Sequence, residues 1–184
     1  MTNLANKRGS LMLAASLAFA LPLAACSGSE EAATGETVSN DTLASELADA
    51  GSLSTVSSAL NDTGLAQVFD GSASYTLLAP TDDAFAAIAD QKLADPENRA
   101  LLAEVLRDHV LPGAFSESDI AKAIEASGGP VEMTTMGDTT VTFSMEGETL
   151  TVTGEDGNSA HVSAQPVLAT NGAAMPIDAV LRKP

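Results

Sequence analysis

Tryptophan is absent from this 184-residue chain, and tyrosine and cysteine occur once each. A single cysteine excludes any disulfide within the chain, so oxidation contributes nothing to the fold. Only 8 lysines and arginines stand against 25 aspartates and glutamates, a formal net charge of −17. Such a surface repels nucleic acid and anionic lipid headgroups, and nucleic-acid binding is excluded on that ground. With two histidines, a metal site would need both rings and a carboxylate to converge, and no paired zinc motif is present. No Gly-x-Ser-x-Gly elbow or phosphate-cradling glycine loop occurs either. The acidity reads as solubility, with weak, diffuse binding of divalent cations as the sharper alternative.

What the sequence does have begins at its start. Lys7 and Arg8 precede an apolar run from Leu11 to Ala25, broken near its end by Pro22. This is the layout of a secretory signal, with the basic residues held on the cytoplasmic side. The run falls short of the roughly 20 apolar residues of a comfortable spanning helix. Leu23-Ala24-Ala25-Cys26 resembles the lipobox of bacterial lipoproteins. The resemblance implies cleavage after Ala25 and diacylation of the Cys26 thiol. Two acyl chains hold well, at about 0.8 kcal/mol per buried methylene, so Cys26 substitutes for a transmembrane helix. Ser27 rather than Asp follows it. In a Gram-negative cell that implies sorting to the outer membrane, with the domain in the periplasm or at the cell surface.

Residues 1–25 are therefore expected to be a signal peptide and residues 26–40 a lipidated flexible linker. From Glu30 to Asn40 the chain is Glu, Ala, Thr, Gly, Ser and Asn with one Val, too polar to order itself. Residues 41–184 leave room for one domain. Leu43, Leu47, Leu53, Val56 and Leu60 recur at helical spacings, punctuated by Gly51 and Gly64, with Leu65, Val68 and Phe69 as a further short helix. Tyr75 to Ala79 reads as a buried strand stopped by Pro80. Thr81 then caps a helix with Asp82 and Asp83 in its first turn; Phe85 and Ile88 face the core. Another helix is expected near Pro96, with Leu101, Leu102, Val105 and Leu106 as its stripe and Val110-Leu111-Pro112-Gly113 as its end. Ser116 opens a helix carrying Ile120 and Ile124. After Gly128-Gly129-Pro130 the period changes to two, through Val131/Met133, Val141/Phe143, Leu150/Val152, His161/Ser163 and Val167/Ala169. Gly154-Glu155-Asp156-Gly157-Asn158 lacks the carboxylate pattern of a calcium loop and reads as a hairpin turn. Helices first and strands second give an α+β fold class.

Three stretches carry a family resemblance. Thr76-Leu77-Leu78-Ala79-Pro80-Thr81-Asp82-Asp83-Ala84-Phe85 resembles the first signature of fasciclin (FAS1) domains. Leu106-Arg107-Asp108-His109-Val110-Leu111-Pro112-Gly113 is similar to the central one, and Asn171-Gly172-Ala173-Ala174-Met175-Pro176-Ile177-Asp178-Ala179-Val180-Leu181 to the last. They stand in family order. The resemblance implies a single domain built as a wedge of two angled β-sheets with helices packed around one side. Its motif residues Thr76, Ala79, Pro80, Thr81, Phe85, His109, Pro112, Gly113, Asn171, Gly172 and Asp178 are expected to be structural. Pro80 and Thr81 end a strand and start a helix, Asn171-Gly172 is a turn pair suited to positive φ, and Asp178 accepts backbone hydrogen bonds near the last strand. Three departures stand out: Asp108 replaces the family's tyrosine, Ala174 or Met175 the second-signature histidine, and Leu168-Ala169-Thr170 an Asp-Ile pair. In animal relatives the Tyr-His region and the Asp-Ile pair are associated with integrin binding, and their loss removes the warrant for that activity.

His109 ends an apolar stripe and reads as a core histidine, although a cationic ring would also suit a helix C-terminus. His161 reads as a strand residue. No catalytic residue, cofactor or metal ligand is expected. The resemblance and the lipid anchor together imply a non-catalytic adhesion or interaction module of the cell envelope. Its partner is expected to be a protein or a polysaccharide, and any self-association weak. The alternative is an extracytoplasmic carrier of a carotenoid or other lipid-like molecule, because Met133, Met136, Met145 and Met175 could line a plastic groove.

Overall fold

A computed structural model describes residues 39–93 and 95–182; Cys26, Ala25 and the signal segment lie outside the described residues. Capping chemistry sets the helix starts. Thr42 accepts the Ser45 N–H and opens α1 (Leu43–Asp49), which buries Leu43 and Leu47. A 3₁₀ turn at Gly51–Leu53 leads into α2 (Ser54–Thr63), which buries Val56, Ala59 and Leu60 and ends on Gly64 in the left-handed region. The short α3 follows (Ala66–Phe69), then β1 (Tyr75–Pro80). Thr81 accepts the Ala84 N–H and caps α4 (Asp82–Ala86), so strand end and helix start coincide as expected. The helix expected at Pro96 begins with a 3₁₀ turn, Pro96–Asn98, and becomes α5 at Arg99–Arg107.

Val110–Pro112 corrects the sequence reading: it does not end the helix but forms a strand, β2. Three residues are too short for a period to register, yet they pair antiparallel with Tyr75–Leu77. Ser116 then caps α6 (Glu117–Ser127) in a reciprocal capping box with Asp119, which satisfies two of the free N–H groups at the helix start. The strands that follow are β3 (Val131–Thr134), β4 (Thr140–Glu146), β5 (Thr149–Thr153), β6 (Ser159–His161), β7 (Val167–Ala169) and β8 (Gly172–Ile177). The β5–β6 connection is the hairpin expected at Gly154–Asn158: the Gly154 N–H donates to the Asn158 carbonyl at 2.9 Å.

The strands form two sheets, ordered β2-β1-β8-β7 and β3-β4-β5-β6. In the first, β1 and β8 run parallel from Tyr75↔Gly172 to Pro80↔Ile177, flanked by antiparallel partners. These two strands are buried along nearly their whole length because each face meets a different core. Leu77, Ala79 and Ala174 join Leu43, Leu60 and Leu102 in the helical cluster. Leu78, Met175 and Ile177 join Ile120, Phe143 and Leu150 in the cluster between the sheets. Parallel strands covered on both sides read as continuous apolar runs. The second sheet is an antiparallel meander with its apolar residues on one face.

The described residues begin with a segment paired to the first sheet. The Ser39 N–H donates to the Leu168 carbonyl at 2.9 Å, and the Thr170 N–H to the Asp41 carbonyl at 3.1 Å. Ser39 and Asn40, assigned to the linker by composition, thus belong to a segment laid along the open edge of β7.

Candidate functional site

The expected motif residues lie at the joints between elements, not around one shared pocket. The Thr76 hydroxyl donates to the Gly113 carbonyl and accepts the Phe115 N–H, both at 2.8 Å. It thereby staples β1 to the turn after β2. Gly113 has φ +108, and a Cβ there would strike the Phe115 ring. Ala79 is buried, Phe85 half-buried and Pro112 exposed.

Asn171 lies in the turn before β8. Its amide oxygen accepts the Leu43 N–H at 2.8 Å, and its amide nitrogen donates to the carbonyls of Phe69 and Gly71. One side chain thereby ties the starts of α1 and β8 to the end of α3. The positive φ expected at Asn171-Gly172 is not found; neither residue is among those with positive φ. Glycine is required at position 172 by close approach: a Cβ there would collide with the Tyr75 carbonyl oxygen of the parallel neighbour. Asp178 accepts the His161 N–H at 2.7 Å, as expected, and so links the last strand to β6.

The two histidines occupy opposite environments. His109 is fully buried. Its Nδ1 lies 2.7 Å from the Val105 carbonyl and its Nε2 accepts the Leu181 N–H at 3.0 Å. With Nε2 accepting, the proton sits on Nδ1 and the ring is neutral; burial holds its pKa below the ordinary value of 6.5. The cationic ring that a helix C-terminus would favour is therefore not formed, since desolvation outweighs the dipole. His161 is half-exposed, with Nδ1 at 3.1 Å from Asp178 and Nε2 at 3.6 Å from Glu146. The Asp178 hydrogen bond and charge, with a smaller effect of Glu146, raise its pKa above 6.5.

Sequence reasoning missed the role of Asp108. It is almost wholly buried, accepts the Thr139 hydroxyl at 3.0 Å and pairs with Arg182 at 2.6 Å. Arg182 also reaches Glu104 at 2.9 Å. The residue that replaces the family's tyrosine thus clamps the C-terminal segment onto α5, and Asp108 and Arg182 line a cleft of about 170 Å³ with Glu155 and Asp156. The ion pair spans 74 positions, and no local pattern announces it. Asp82 is a second carboxylate of this kind: the Thr55 N–H at 2.7 Å and the Ser54 hydroxyl at 2.8 Å bind it. The Thr55 hydrogen bond is the largest influence holding its pKa below the usual carboxylate value.

The methionines do not converge. Met136 packs on the helical cluster, Met133 and the fully buried Met175 on the cluster between the sheets, and Met145 is exposed. The plastic groove expected from them is not assembled, because Met136 lies against the other cluster, Met175 is sealed in the core and Met145 is exposed. Among the described residues, no three His, Cys, Asp or Glu side chains are placed to share a metal ion. No helix among those residues is long and apolar enough to cross a membrane.

An α+β domain of two four-stranded sheets, whose signature residues bind its own backbone at the element joints, is a framework of a defined kind. The fasciclin domain family matches residues 51–184, and the chain belongs to it. It is 34% identical over 131 residues to the transforming growth factor-beta-induced protein ig-h3 of Sus scrofa, covering 69% of this chain and 17% of that protein. It is 30% identical over 138 residues to Protein sll1483 of Synechocystis sp., covering 71% of this chain and 67% of that one. The chain therefore spans about a sixth of the animal relative's length. The FAS1 domain pair of the insect cell adhesion molecule Fasciclin I has the same fold, with a TM-score of 0.61 and 24% identity over 72% of this chain and 46% of that one.

Proposed function

We propose that this chain is a lipid-anchored interaction module of the cell envelope that binds a protein or polysaccharide partner and carries out no chemistry. One observation carries the reading: in a fasciclin-family domain, the titratable pair of the central signature, Asp108 and His109, is engaged internally. His109 has both ring nitrogens in backbone contacts, and Asp108 is held by Arg182 and Thr139. A nucleophile or general base needs a free lone pair within reach of a substrate, and both residues are buried and held by partners within the domain. The anchoring half rests on Cys26, the chain's one cysteine, at the end of the apolar run. In a Gram-negative cell the module is assigned to the outer membrane.

The test has two parts. Intact-cell crosslinking followed by affinity capture is expected to recover a partner; loss of attachment with the gene deleted is the matching phenotype. Cys26→Ala is expected to move the protein from the detergent phase to the aqueous phase and to remove the acyl mass. If deletion leaves attachment unchanged and nothing crosslinks, the interaction reading fails. If Cys26→Ala changes neither partition nor mass, the anchoring reading fails.

A further inference from the structure

The β3-β4-β5-β6 meander has two unlike faces. Val141, Phe143, Leu150, Val152 and Ala160 enter the core shared with α6 and the first sheet. Because strand side chains alternate, the pairing register puts six threonines on the other face: Thr134, Thr140, Thr142, Thr149, Thr151 and Thr153. Ser144 and Ser159 lie among them, opposite Thr151 and Thr153. Glu132, Glu146 and His161 complete the set. The face therefore carries no apolar side chain, no lysine and no arginine. Thr134, Thr140, Thr149 and Ser159 are exposed, and Thr142 and Thr153 half-exposed.

Its chemistry limits what it can hold. Each hydroxyl both donates and accepts, and the β-branched threonines are stiff at χ1. They form a preset lattice, about 6.7 Å apart along a strand and about 4.8 Å between strands. A protein partner would need an apolar centre or aromatic anchors, which are missing. An anionic polymer would meet a chain of net charge −17 and find no lysine or arginine on this face, only His161, which already faces Asp178 and Glu146. At the centre lies Thr151, 1% exposed, whose hydroxyl has no hydrogen-bond partner within the protein. That hydroxyl is closed off from a ligand, so the contacts fall to the exposed and half-exposed hydroxyls around it.

The geometry points to the outer face of this sheet as a binding surface for an uncharged polysaccharide, gripped by many weak hydroxyl contacts along the polymer. This inference rests on the interaction-module reading and names its partner class and its face. The full chain, purified in detergent, is to be run by affinity electrophoresis through gels containing laminarin or dextran, both neutral glucans, or polygalacturonate, an anionic one. Retardation by at least one neutral glucan is expected, and the triple variant Thr142→Val, Thr149→Val, Thr153→Val is expected to weaken it at least tenfold while melting as a folded protein. Ser58→Ala on α2 serves as the control and leaves it unchanged. Should the triple variant fail to fold, the exposed single variants Thr140→Val and Thr149→Val are expected each to weaken binding two- to threefold. Retardation by polygalacturonate alone, by no neutral glucan, or equally for wild type and hydroxyl-face variants overturns the inference. So does a change confined to self-association in sedimentation. A crosslinked partner whose capture survives the triple variant overturns the face while leaving the module reading intact; absence of any partner defeats both.

Discussion

The two sheets of this domain differ in what their second face meets. In the β2-β1-β8-β7 sheet, β1 and β8 are enclosed between two cores, so every position answers to a neighbour. In the meander, one face is core and the other is hydroxyls and water. Each sheet also has its histidine: the His109 carbonyl accepts the Leu78 N–H of β1, and His161 ends β6. The enclosed ring is neutral, its pKa lowered by burial, and the open one has its pKa raised by Asp178. The first sheet therefore specifies the fold, and the second has positions free for something else.

The contrast is broken most severely by Gly172→Ala, which drives a methyl into the Tyr75 carbonyl across the parallel pair. A loss of more than about 4 kcal/mol is expected, read as absence of a cooperative urea transition; a folded, near-wild-type variant would show that the two strands can separate freely. Next comes Asn171→Ala. It removes three hydrogen bonds and leaves the buried Leu43 N–H unpaired, for an expected loss of about 3 kcal/mol in the same titration. A loss below about 1 kcal/mol would mean that water substitutes for the amide.

The histidines sharpen the comparison through pH. His109 has a folded pKa below 6.5, so its contribution is complete above that pH and is lost as pH falls through the folded value. His161 has a raised folded pKa, so its contribution is complete below about 6.5 and is lost as pH rises through the folded value. Melting temperatures between pH 7.5 and 5.5 should then fall more steeply on acidification in His161→Gln than in wild type. They should fall less steeply in His109→Gln, whatever the drop in absolute stability. Parallel slopes for all three would contradict both assignments. The smallest effect is expected from Thr151→Val, which replaces an unpartnered buried hydroxyl with a methyl of the same shape. A gain of about 1 kcal/mol, measured as a higher urea midpoint, is expected; a loss would mean that the hydroxyl is already satisfied by water.

The same contrast governs what could be read from sequence. In the meander, one buried face leaves a period of two, and β4, β5 and the Gly154–Asn158 hairpin were legible, as were the caps at Thr81 and Ser116. In the enclosed sheet the alternation vanishes. The strand at Tyr75 was recognisable by its run and its Pro80 stop, but β2 was too short and its parent helix too close. The pairing of β1 with β8 joins residues almost a hundred positions apart and has no local signal. Gly172 was noticed for the wrong reason, since backbone collision depends on that pairing and positive φ does not. The candidate sites follow the same rule. His109 could be placed in the core from its stripe, whereas the Asp108–Arg182 clamp depends on where the C-terminal segment lands. The hydroxyl face lay within the Thr-rich strands, but only the register aligns their rows.

The segment at Ser39–Asp41 has a mechanical consequence. Among the described residues, the N-terminal end is tied to the fold by two hydrogen bonds to Leu168 and Thr170, on the edge of the first sheet. A load held on the outer face of the meander at one end and on the N-terminal segment at the other must cross both cores and the Val162↔Ile177 bridge that joins the sheets. The force would run through both cores, and at the β7 edge it would be borne by only two backbone hydrogen bonds.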